Sequence, residues 1–268
     1  MKLERTLAAL VALAVACVGT TGGDIIDFPV FGAGPAKANS TKPFEFVNDR
    51  GWHVVLTRAV LHVGALYLGQ NMPVSGAQNT SCILPGTYVA QVTTGLDVNL
   101  LSSTPTPFPS LGRGTTLDAR VAQVWLTGVD INETFDPKPI LAIEGTADKD
   151  GDVRPFSGKV SISSNRQTSS GQLAGANPIC KQRIVSPIPT SLSIGHEGAL
   201  VLRIDPRFLF VNVDFGQLGK FSSGYGFSDD PSQTDPKSPL YYSQPSANLY
   251  QNLHAAGGLY AFSWEVTP

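Results

Sequence analysis

Short apolar segments, rich in β-branched residues and separated by turn residues, recur along most of the chain, and few helical patterns lie between them. A strand needs only a few alternating apolar residues, whereas a helix needs an apolar stripe that continues over several turns. Strands that follow one another without helices can bury their apolar faces only against other strands. We therefore predict a mostly β, antiparallel β-sandwich, with a β-barrel as the alternative.

Alternation and flanking turn residues place the individual elements. The apolar stretch 52–68 also fits a helix, but its valine content favours a strand, which we expect to bend near residues 57–58. Two short helices are expected, one that starts at the Asp205-Pro206 pair and one over residues 246–256. The other predicted strands cover residues 88–93, 117–126, 141–147, 156–163, 190–194, 199–204 and 259–266.

Several long segments carry no regular pattern. Loops of such length in a compact domain are uncommon unless they have a function. We therefore expect a ligand or partner to bind at these loops, which are residues 69–84, 102–116, 165–189 and 219–245.

The first residues of the chain have the composition of an export signal. Lys2 and Arg5 precede an apolar run over residues 7–16. As a helix this run is roughly 15 Å long, about half of what a bilayer core needs, so it is too short for a transmembrane anchor. Its length is typical of a signal peptide, which we assign to residues 1–16.

Cys17 becomes the first residue of the mature chain if cleavage follows the Ala-Val-Ala sequence at residues 14–16. Residues 13–17 resemble the lipobox of bacterial lipoproteins, in which leucine usually stands one residue closer to the cysteine. The resemblance implies a lipid on Cys17 and a location at the outer membrane or cell surface. The alternative is a soluble periplasmic or secreted protein with a free thiol at Cys17.

The chain has three cysteines, and lipidation of Cys17 leaves Cys82 and Cys180 as a pair. An oxidising compartment permits a disulfide between them. Such a bond would stabilise the fold by about 4–5 kcal/mol in the chain-entropy model. Two unpaired structural thiols are the alternative.

The composition divides the mature chain into two parts. Residues 17–42 are rich in Gly, Thr, Ala, Pro and Ser, which is typical of a flexible tether, although a short apolar insert at 25–31 could dock as an edge strand. We predict one folded domain over residues 43–268. Its net charge of −2 gives no basic field, so nucleic acid is not expected as a partner. The expected partners are the membrane, through Cys17, and an unknown protein or small ligand.

The segment 148–152 has the alternating aspartates that begin a calcium loop. An EF-hand loop needs glycine at its sixth position and glutamate at its twelfth, where this chain has Val153 and Lys159. Strand patterns flank the segment on both sides. We therefore predict a hairpin turn, with a weak surface calcium site as the alternative.

Three histidines are candidate metal ligands together with nearby acidic residues: His53, His62 and His196. None belongs to a histidine pair with the spacing of a known metal motif. His53 and His62 stand an odd number of residues apart, so they lie on opposite faces of a straight strand and converge only if the strand bends.

The sequence contains no nucleophile elbow, P-loop or dinucleotide-binding glycine motif. We predict no catalytic residue and favour a role other than an enzyme. Pairs of carboxylates occur in any β protein, so they indicate a glycosidase only with a defined separation.

Five segments resemble those of uncharacterised envelope lipoproteins of the myxobacterial type: residues 51–54, 56–64, 177–183, 202–207 and 212–215. This resemblance implies a fold and a location but no activity.

More distantly, the chain is similar to methanobactin-associated copper-binding surface proteins. These use two histidines and an oxidised tryptophan two residues from one of them, whereas Trp52 and His53 are adjacent here. The first functional hypothesis is thus a non-enzymatic envelope lipoprotein whose β domain presents loops to a ligand or partner. The alternative is an exported protein that binds a metal of the copper type.

Overall fold

The computed structural model describes residues 22–39, 41–71, 86–133, 136, 138–163, 179–222, 224–230, 232, 235, 237 and 242–266. The predicted signal peptide, Cys17 and Cys82 lie outside these residues. No helix in the described part of the chain is long and apolar enough to cross a membrane.

Strands dominate the described residues, which confirms the prediction of a mostly β fold. In chain order the strands are β1 (Ile25–Phe28), β2 (Val30–Ala33), β3 (Phe44–Val47), β4 (His53–Val63), β5 (Ala65–Gly69), β6 (Tyr88–Val92), β7 (Leu96–Asn99), β8 (Thr106–Pro107), β9 (Gly112–Thr115), β10 (Asp118–Trp125), β11 (Leu141–Lys149), β12 (Asp152–Val160), β13 (Ile184–Ser193), β14 (Ala199–Ile204), β15 (Gly219–Phe221), β16 (Gly224–Phe227) and β17 (Tyr260–Glu265). The helices are α1 (Ile179–Gln182) and α2 (Gln244–Leu253), with 3-10 turns at Pro206–Phe210 and Phe215–Gln217.

The described strands form three open sheets. The first sheet has the order β1-β9-β6-β5-β10-β13, the second β15-β16-β12-β11-β4-β3 with β7 also on β4, and the third β17-β14-β2-β8. Neighbouring described strands run antiparallel except for the parallel pairs β2–β14 and β12–β16. The predominantly antiparallel pairing agrees with the sequence pattern.

One large hydrophobic cluster receives buried side chains from all three sheets. Leu66 of the first sheet, Leu56 of the second and Leu202 of the third are fully buried in it. A leucine buried in this way stabilises the fold by about 1.5–3 kcal/mol relative to an exposed one. Sheets that share an apolar core between their inner faces form a β-sandwich, and that prediction is confirmed.

The long strand β4 carries a β-bulge at Thr57. Arg58 pairs with Glu144 and Leu56 with Gly145, so Thr57 has no partner on β11. The predicted bend at residues 57–58 is therefore confirmed. An extra residue shifts the alternation of side chains by one position. Residues before and after the bulge that stand an odd number apart consequently share one face of the sheet.

Gly64 is the point where the chain passes from the second sheet into the first. A Cβ at this position would lie 2.3 Å from the backbone oxygen of Thr127, so only glycine fits. The amide of Gly64 donates a 2.7 Å hydrogen bond to the carbonyl of Trp125. The end of β4, the start of β5 and the end of β10 thus meet at one corner of the sandwich.

Regular structure begins before residue 43, where the sequence pattern places the start of the folded domain. Strands β1 and β2 lie within the segment predicted as a tether, and Phe28 and Val30 are both buried in the core. As expected for an edge strand, β1 ends the first sheet, but β2 lies inside the third sheet between β14 and β8. Burial of apolar side chains stabilises an ordered structure in this short insert despite the glycine-rich composition around it. Its two strands complete two sheets.

Three segments predicted to be irregular contain regular structure. β8 and β9 lie within 102–116, and β15 and β16 lie within 219–245. α1 and the first half of β13 lie within 165–189. Most of the segment 69–84 is outside the described residues.

The aspartate-rich segment 148–152 is a hairpin turn, as predicted. Asp150 and Gly151 both have positive φ, of 54° and 84°, which is the backbone of a two-residue hairpin loop with the correct twist. The carboxylate of Asp148 accepts a 3.2 Å hydrogen bond from the amide of Gly151. Lys149 and Asp152 form the last pair of the β11–β12 ladder before the turn.

Replacing Gly151 with alanine should lower the free energy of unfolding by about 1 kcal/mol, because alanine disfavours this backbone conformation. Gly257→Ala is the matched control, since an added Cβ meets nothing within 4 Å at either position and only Gly151 has a positive φ. Urea denaturation measures both variants. Equal stability of the two would contradict a turn that requires glycine.

Candidate functional site

A pocket of about 490 Å³ opens at the corner where the chain changes sheets. We call it the corner pocket. The residues that line it include His62, Tyr67, Thr93, Trp125, Asp130 and Ile131. Its position follows from the fold, because β4 ends, β5 begins and β10 ends at this corner. Gly64 and Gly95 also line it. The segment 127–131 forms the remaining side.

His62 is held at the edge of the pocket by its neighbour on β7. His62 and Asp97 are directly opposite each other in the β4–β7 ladder, and Nδ1 of His62 lies 2.5 Å from Oδ1 of Asp97. A Cβ at Gly95 would lie 2.9 Å from both Cε1 and Nε2 of the ring, so glycine allows the backbone to pack on the imidazole. Only 11% of the side chain of His62 is exposed. The ring is therefore held between the carboxylate of Asp97 and the backbone at Gly95.

Lys138 places a positive charge on the same ring. Its Nζ lies 3.3 Å from Nδ1 and 3.5 Å from Nε2 of His62. The ammonium group and the carboxylate of Asp97 thus flank one imidazole and offset each other's charge.

Two aromatic rings form one wall of the pocket. Tyr67 pairs with Gln123 and Trp125 with Ala65 across the β5–β10 ladder, so Tyr67 and Trp125 are diagonal neighbours on one face. Their ring centroids are 4.6 Å apart and the planes are inclined by 35°. Both side chains are partly exposed. The two rings therefore stack on each other, and both residues line the pocket.

The hydroxyl groups beside this wall are available to a ligand. Neither the hydroxyl of Tyr67 nor that of Thr93 has a hydrogen-bond partner among the described residues. Burial raises the pKa of Tyr67, and the neighbouring Tyr88 raises it further, so the phenol is neutral at physiological pH. Each hydroxyl can therefore both donate and accept a hydrogen bond.

The segment that lines the pocket at residues 127–131 is held by a buried arginine. Arg183 is fully buried, and its Nη1 donates to the carbonyls of Glu133 at 2.7 Å and Ile131 at 3.4 Å. Its Nη2 donates to the carbonyl of Ile162 at 3.2 Å. Burial lowers the pKa of Arg183, whereas the carboxylates of Asp136 and Glu133 act in the opposite direction. Hydrogen bonding of this kind is what makes a buried guanidinium tolerable.

Asp136 fixes the beginning of the same segment. It is fully buried and accepts hydrogen bonds from the amide of Gly128 at 2.9 Å and the hydroxyl of Thr127 at 3.1 Å. Its other carboxylate oxygen accepts from the amide of Lys138 at 3.1 Å. Both ends of segment 127–133 are thus pinned by buried charged groups, and the pocket has a preformed wall.

A second, small apolar cluster supports Trp125 from behind. It consists of Ile131, Cys180 and Ile184, with Trp125 packed against it. Cys180 is buried and belongs to α1. Because Cys82 lies outside the described residues, the disulfide between Cys82 and Cys180 stays a prediction.

The structure does not bring the three candidate metal-binding histidines together. His53 pairs with Glu45 at 3.5 Å, and His196 pairs with Asp24 at 3.1 Å, both at the surface. The bulge at Thr57 places His53 and His62 on one face of the second sheet, but they stand at opposite ends of β4, roughly 25–30 Å apart at the rise of a strand. Within the described ranges no three His, Cys, Asp or Glu side chains form a group that could hold a metal.

Trp52 and His53 diverge, as their adjacency predicts. Trp52 is buried among aromatic side chains and its Nε1 donates a 3.2 Å hydrogen bond to Asp214. His53 lies on the exposed face with Glu45. Their adjacency therefore does not provide a shared ligand site for a metal.

Sequence reasoning identified His62 but missed the residues that act with it. Asp97 lies in β7, a short strand that was not predicted. Tyr67 and Trp125 lie in predicted strands, but their contact depends on the register between β5 and β10. Arg183 lies in a segment that was predicted to be an irregular loop. An arginine between apolar Ile179 and Ile184 was the available signal of burial.

Comparison with known proteins gives little further information. No protein-family model matches the chain, and no curated protein matches it. Among solved structures, the chain is similar to MbnP from Methylosinus trichosporium, with 11% sequence identity and a TM-score of 0.38. The match covers 90% of this chain and 99% of that chain. At this TM-score we transfer neither fold nor function from it.

Arg183→Ala should lower the free energy of unfolding by about 3–5 kcal/mol, because it leaves buried carbonyls without donors and Asp136 without a neighbouring guanidinium. Arg58→Ala is the control, since Arg58 is half exposed and pairs with Glu144 at the surface. That variant should lose less than about 1 kcal/mol. Urea denaturation compares them, and a similar loss in both would show that Arg183 does not hold the loop.

Proposed function

We propose that the protein is an exported, non-enzymatic binding protein that holds a small ligand in the corner pocket. The observation that carries this proposal is a pocket of about 490 Å³ that combines an aromatic wall with unpaired hydroxyl groups. Small-molecule sites typically have volumes of about 300–1,000 Å³ and a few polar groups that fix the ligand's orientation. The hydroxyls of Tyr67 and Thr93 and the fixed imidazole of His62 are such groups.

The rigidity of the pocket supports binding. His62 is oriented by Asp97 and by the backbone at Gly95, and segment 127–133 is pinned by Arg183 and Asp136. A site that is already in its binding conformation loses little conformational entropy when a ligand enters. Binding energy is then not spent on ordering the walls.

The chemistry of the lining residues favours binding over catalysis. A nucleophilic mechanism needs a hydroxyl or thiol hydrogen-bonded to its base. Among the described lining residues, no hydroxyl of Thr93, Thr127 or Tyr67 is hydrogen-bonded to His62, and the hydroxyl of Thr127 is committed to Val129 and Asp136. His62 with Asp97 is thus an oriented polar group without a nucleophile.

The location is part of the proposal and rests on the N-terminal sequence. A lipid on Cys17 would attach the β domain to the outer membrane or cell surface. Several acyl chains on one cysteine hold a protein stably, because each buried methylene contributes about 0.8 kcal/mol. The pocket would then take up its ligand outside the cytoplasm.

A screen with a library of small polar metabolites tests binding. Ligand-observed NMR should identify compounds that bind the wild type and that lose affinity about tenfold or more in Trp125→Ala, because that variant removes half of the aromatic wall. His196→Ala, whose side chain is exposed and lies away from the pocket, should retain the wild-type affinities. Compounds that bind all three proteins equally would place the binding site elsewhere, and a screen without any bound compound would remove the proposal.

Detergent-phase partitioning tests the lipid anchor. Cys17→Ala should move the exported protein from the detergent phase to the aqueous phase without changing its circular dichroism spectrum, because residue 17 precedes the described fold. The intact mass of the wild type should carry a lipid-sized increment. An alanine variant that stays with the detergent would contradict anchoring through Cys17.

A further inference from the structure

We infer that the free edge of β3 is a docking site for an extended peptide segment of a partner protein, a segment with apolar side chains and one acidic side chain. This surface shares no lining residue with the corner pocket, and the inference goes beyond the proposed ligand binding. It rests on three features of β3 and its surroundings: unpaired backbone groups, an exposed apolar pocket and unpaired positive charges.

The backbone of β3 offers hydrogen bonds to a further strand. β3 ends the second sheet, and β4 is its only partner among the described strands. Directly after β3, the amide of Asn48 donates a 3.0 Å hydrogen bond to the carbonyl of Trp52, in register with the ladder. Because bonded pairs alternate in an antiparallel ladder, Phe46 also bonds to β4, while Glu45 and Val47 direct their N–H and C=O groups away from it. No described residue bonds to these outward groups.

An exposed apolar pocket of about 330 Å³ borders the end of β3. Val47, Phe208 and Val211 line it, and they are 66%, 39% and 38% exposed. They are three of the nine large apolar residues that are exposed in the described part of the chain, so they form a cluster rather than scattered single contacts. Phe46 and Phe210 also line this pocket, with ring centroids 5.7 Å apart. Apolar side chains from a strand added to β3 would cover the cluster.

A second pocket, of about 450 Å³, borders the start of β3 and has a surplus of positive charge. Lys37, Lys42 and Arg207 line it, and neither lysine forms an ion pair or hydrogen bond with a described residue. Arg207 uses its Nε and Nη2 on Asp205, which leaves Nη1 without a partner among the described residues. Glu45 is the one acidic residue of the lining, and its carboxylate pairs with a histidine of β4. The pocket therefore suits an acidic side chain from a partner.

The two pockets meet at Arg207, which lines both, and together they form a groove along the free edge of β3. We call it the edge groove. Its positive pocket lies beside residues 43–45 and its apolar pocket beside residues 46–49. Side chains on one face of a strand repeat every second residue, so an antiparallel peptide would place apolar side chains opposite residues 48 and 46 and an acidic one opposite residue 44. Backbone hydrogen bonds would supply affinity and the two pockets selectivity.

The charges of β3 disfavour a second copy of the chain as the occupant. A twofold pairing that uses most of the free edge centres on residue 45, 46 or 47. Centres at 45 and 47 place Glu45 opposite itself or opposite Asp49, and the centre at 46 places Lys42 opposite Arg50. Like charges directly opposite each other destabilise a strand pair. A peptide with the complementary pattern meets no such repulsion.

Fluorescence anisotropy with a labelled peptide, Thr-Leu-Val-Leu-Thr-Glu-Thr, tests the inference. In the antiparallel register its leucines face the apolar pocket and its glutamate faces the positive pocket. The protein is the full mature chain with Cys17→Ala, so that no detergent competes for the peptide.

The unmodified peptide should bind. Methylation of the backbone nitrogens of its valine and of the threonine before its glutamate should abolish binding, because these N–H groups face β3. Methylation at both leucines is the matched control, since their N–H groups face away from β3, and it should change the affinity by less than about twofold.

Variants of the protein test the same contacts from the other side. Val47→Pro should weaken the peptide about five- to tenfold, because it removes an N–H at the free edge and none of the bonds between β3 and β4. Val47→Thr, which keeps that N–H and a β-branched side chain, should weaken it less. Lys42→Glu should weaken the peptide about two- to fivefold and strengthen a peptide with lysine in place of glutamate. Lys220→Glu, at an exposed position outside the groove, should change neither affinity.

The melting temperature of each variant shows whether the fold is retained. Absence of binding at millimolar peptide overturns the inference, as does an equal effect of the two methylation patterns or of Val47→Pro and Val47→Thr. A wild-type dimer in sedimentation velocity that Val47→Pro dissociates would also overturn it, because a second copy would then occupy the edge. None of these results bears on the corner pocket, since no variant changes a residue that lines it.

Discussion

The buried guanidinium of Arg183 connects parts of the chain that are distant in sequence. The guanidinium donates to carbonyls at the end of segment 127–133 and to the carbonyl of Ile162, just after β12. The backbone carbonyl of Arg183 accepts a hydrogen bond from the amide of Leu126. A charge without access to water is stable only with well-placed acceptors, and these carbonyls would lack donors without it. The loop and the arginine therefore depend on each other. The position of the segment that lines the pocket at residues 127–131 depends on this one group.

The strand pattern predicted most of the fold, and it failed where backbone contacts decide the structure. β10 was predictable because its apolar residues alternate, β4 because of its valine content, and β11 because a hairpin turn follows it. β9 was not, because Gly112 and Gly114 have no side chain to alternate. A Cβ at either position would collide with Phe28 or Ala90. Glycine therefore lets β9 approach the neighbouring strands closely enough to pair with them. The prolines of β13 hid its first half, whereas its second half falls in the strand predicted over residues 190–194. β13 lies at the edge of its sheet, where a missing N–H costs little.

The site was less predictable than the fold, for a related reason. His62 was predicted as a candidate metal ligand. Its partner Asp97 is set by the register of β4 and β7, which no local sequence pattern shows. The face of the sheet on which it lies is set by the bulge at Thr57. The side chains of Tyr67 and Trp125 come together through the register of β5 and β10. Long-range pairing, more than residue type, creates this pocket.

The early start of the fold at β1 has a consequence for how the protein would work at a surface. With a lipid on Cys17 as proposed, only residues 17–24 separate the acyl chains from the first strand. Such a segment reaches roughly 25–30 Å when fully extended, which is shorter than the tether expected from composition. The pocket would then stay within a short distance of the membrane, and it would bind only ligands that enter the layer next to the membrane surface.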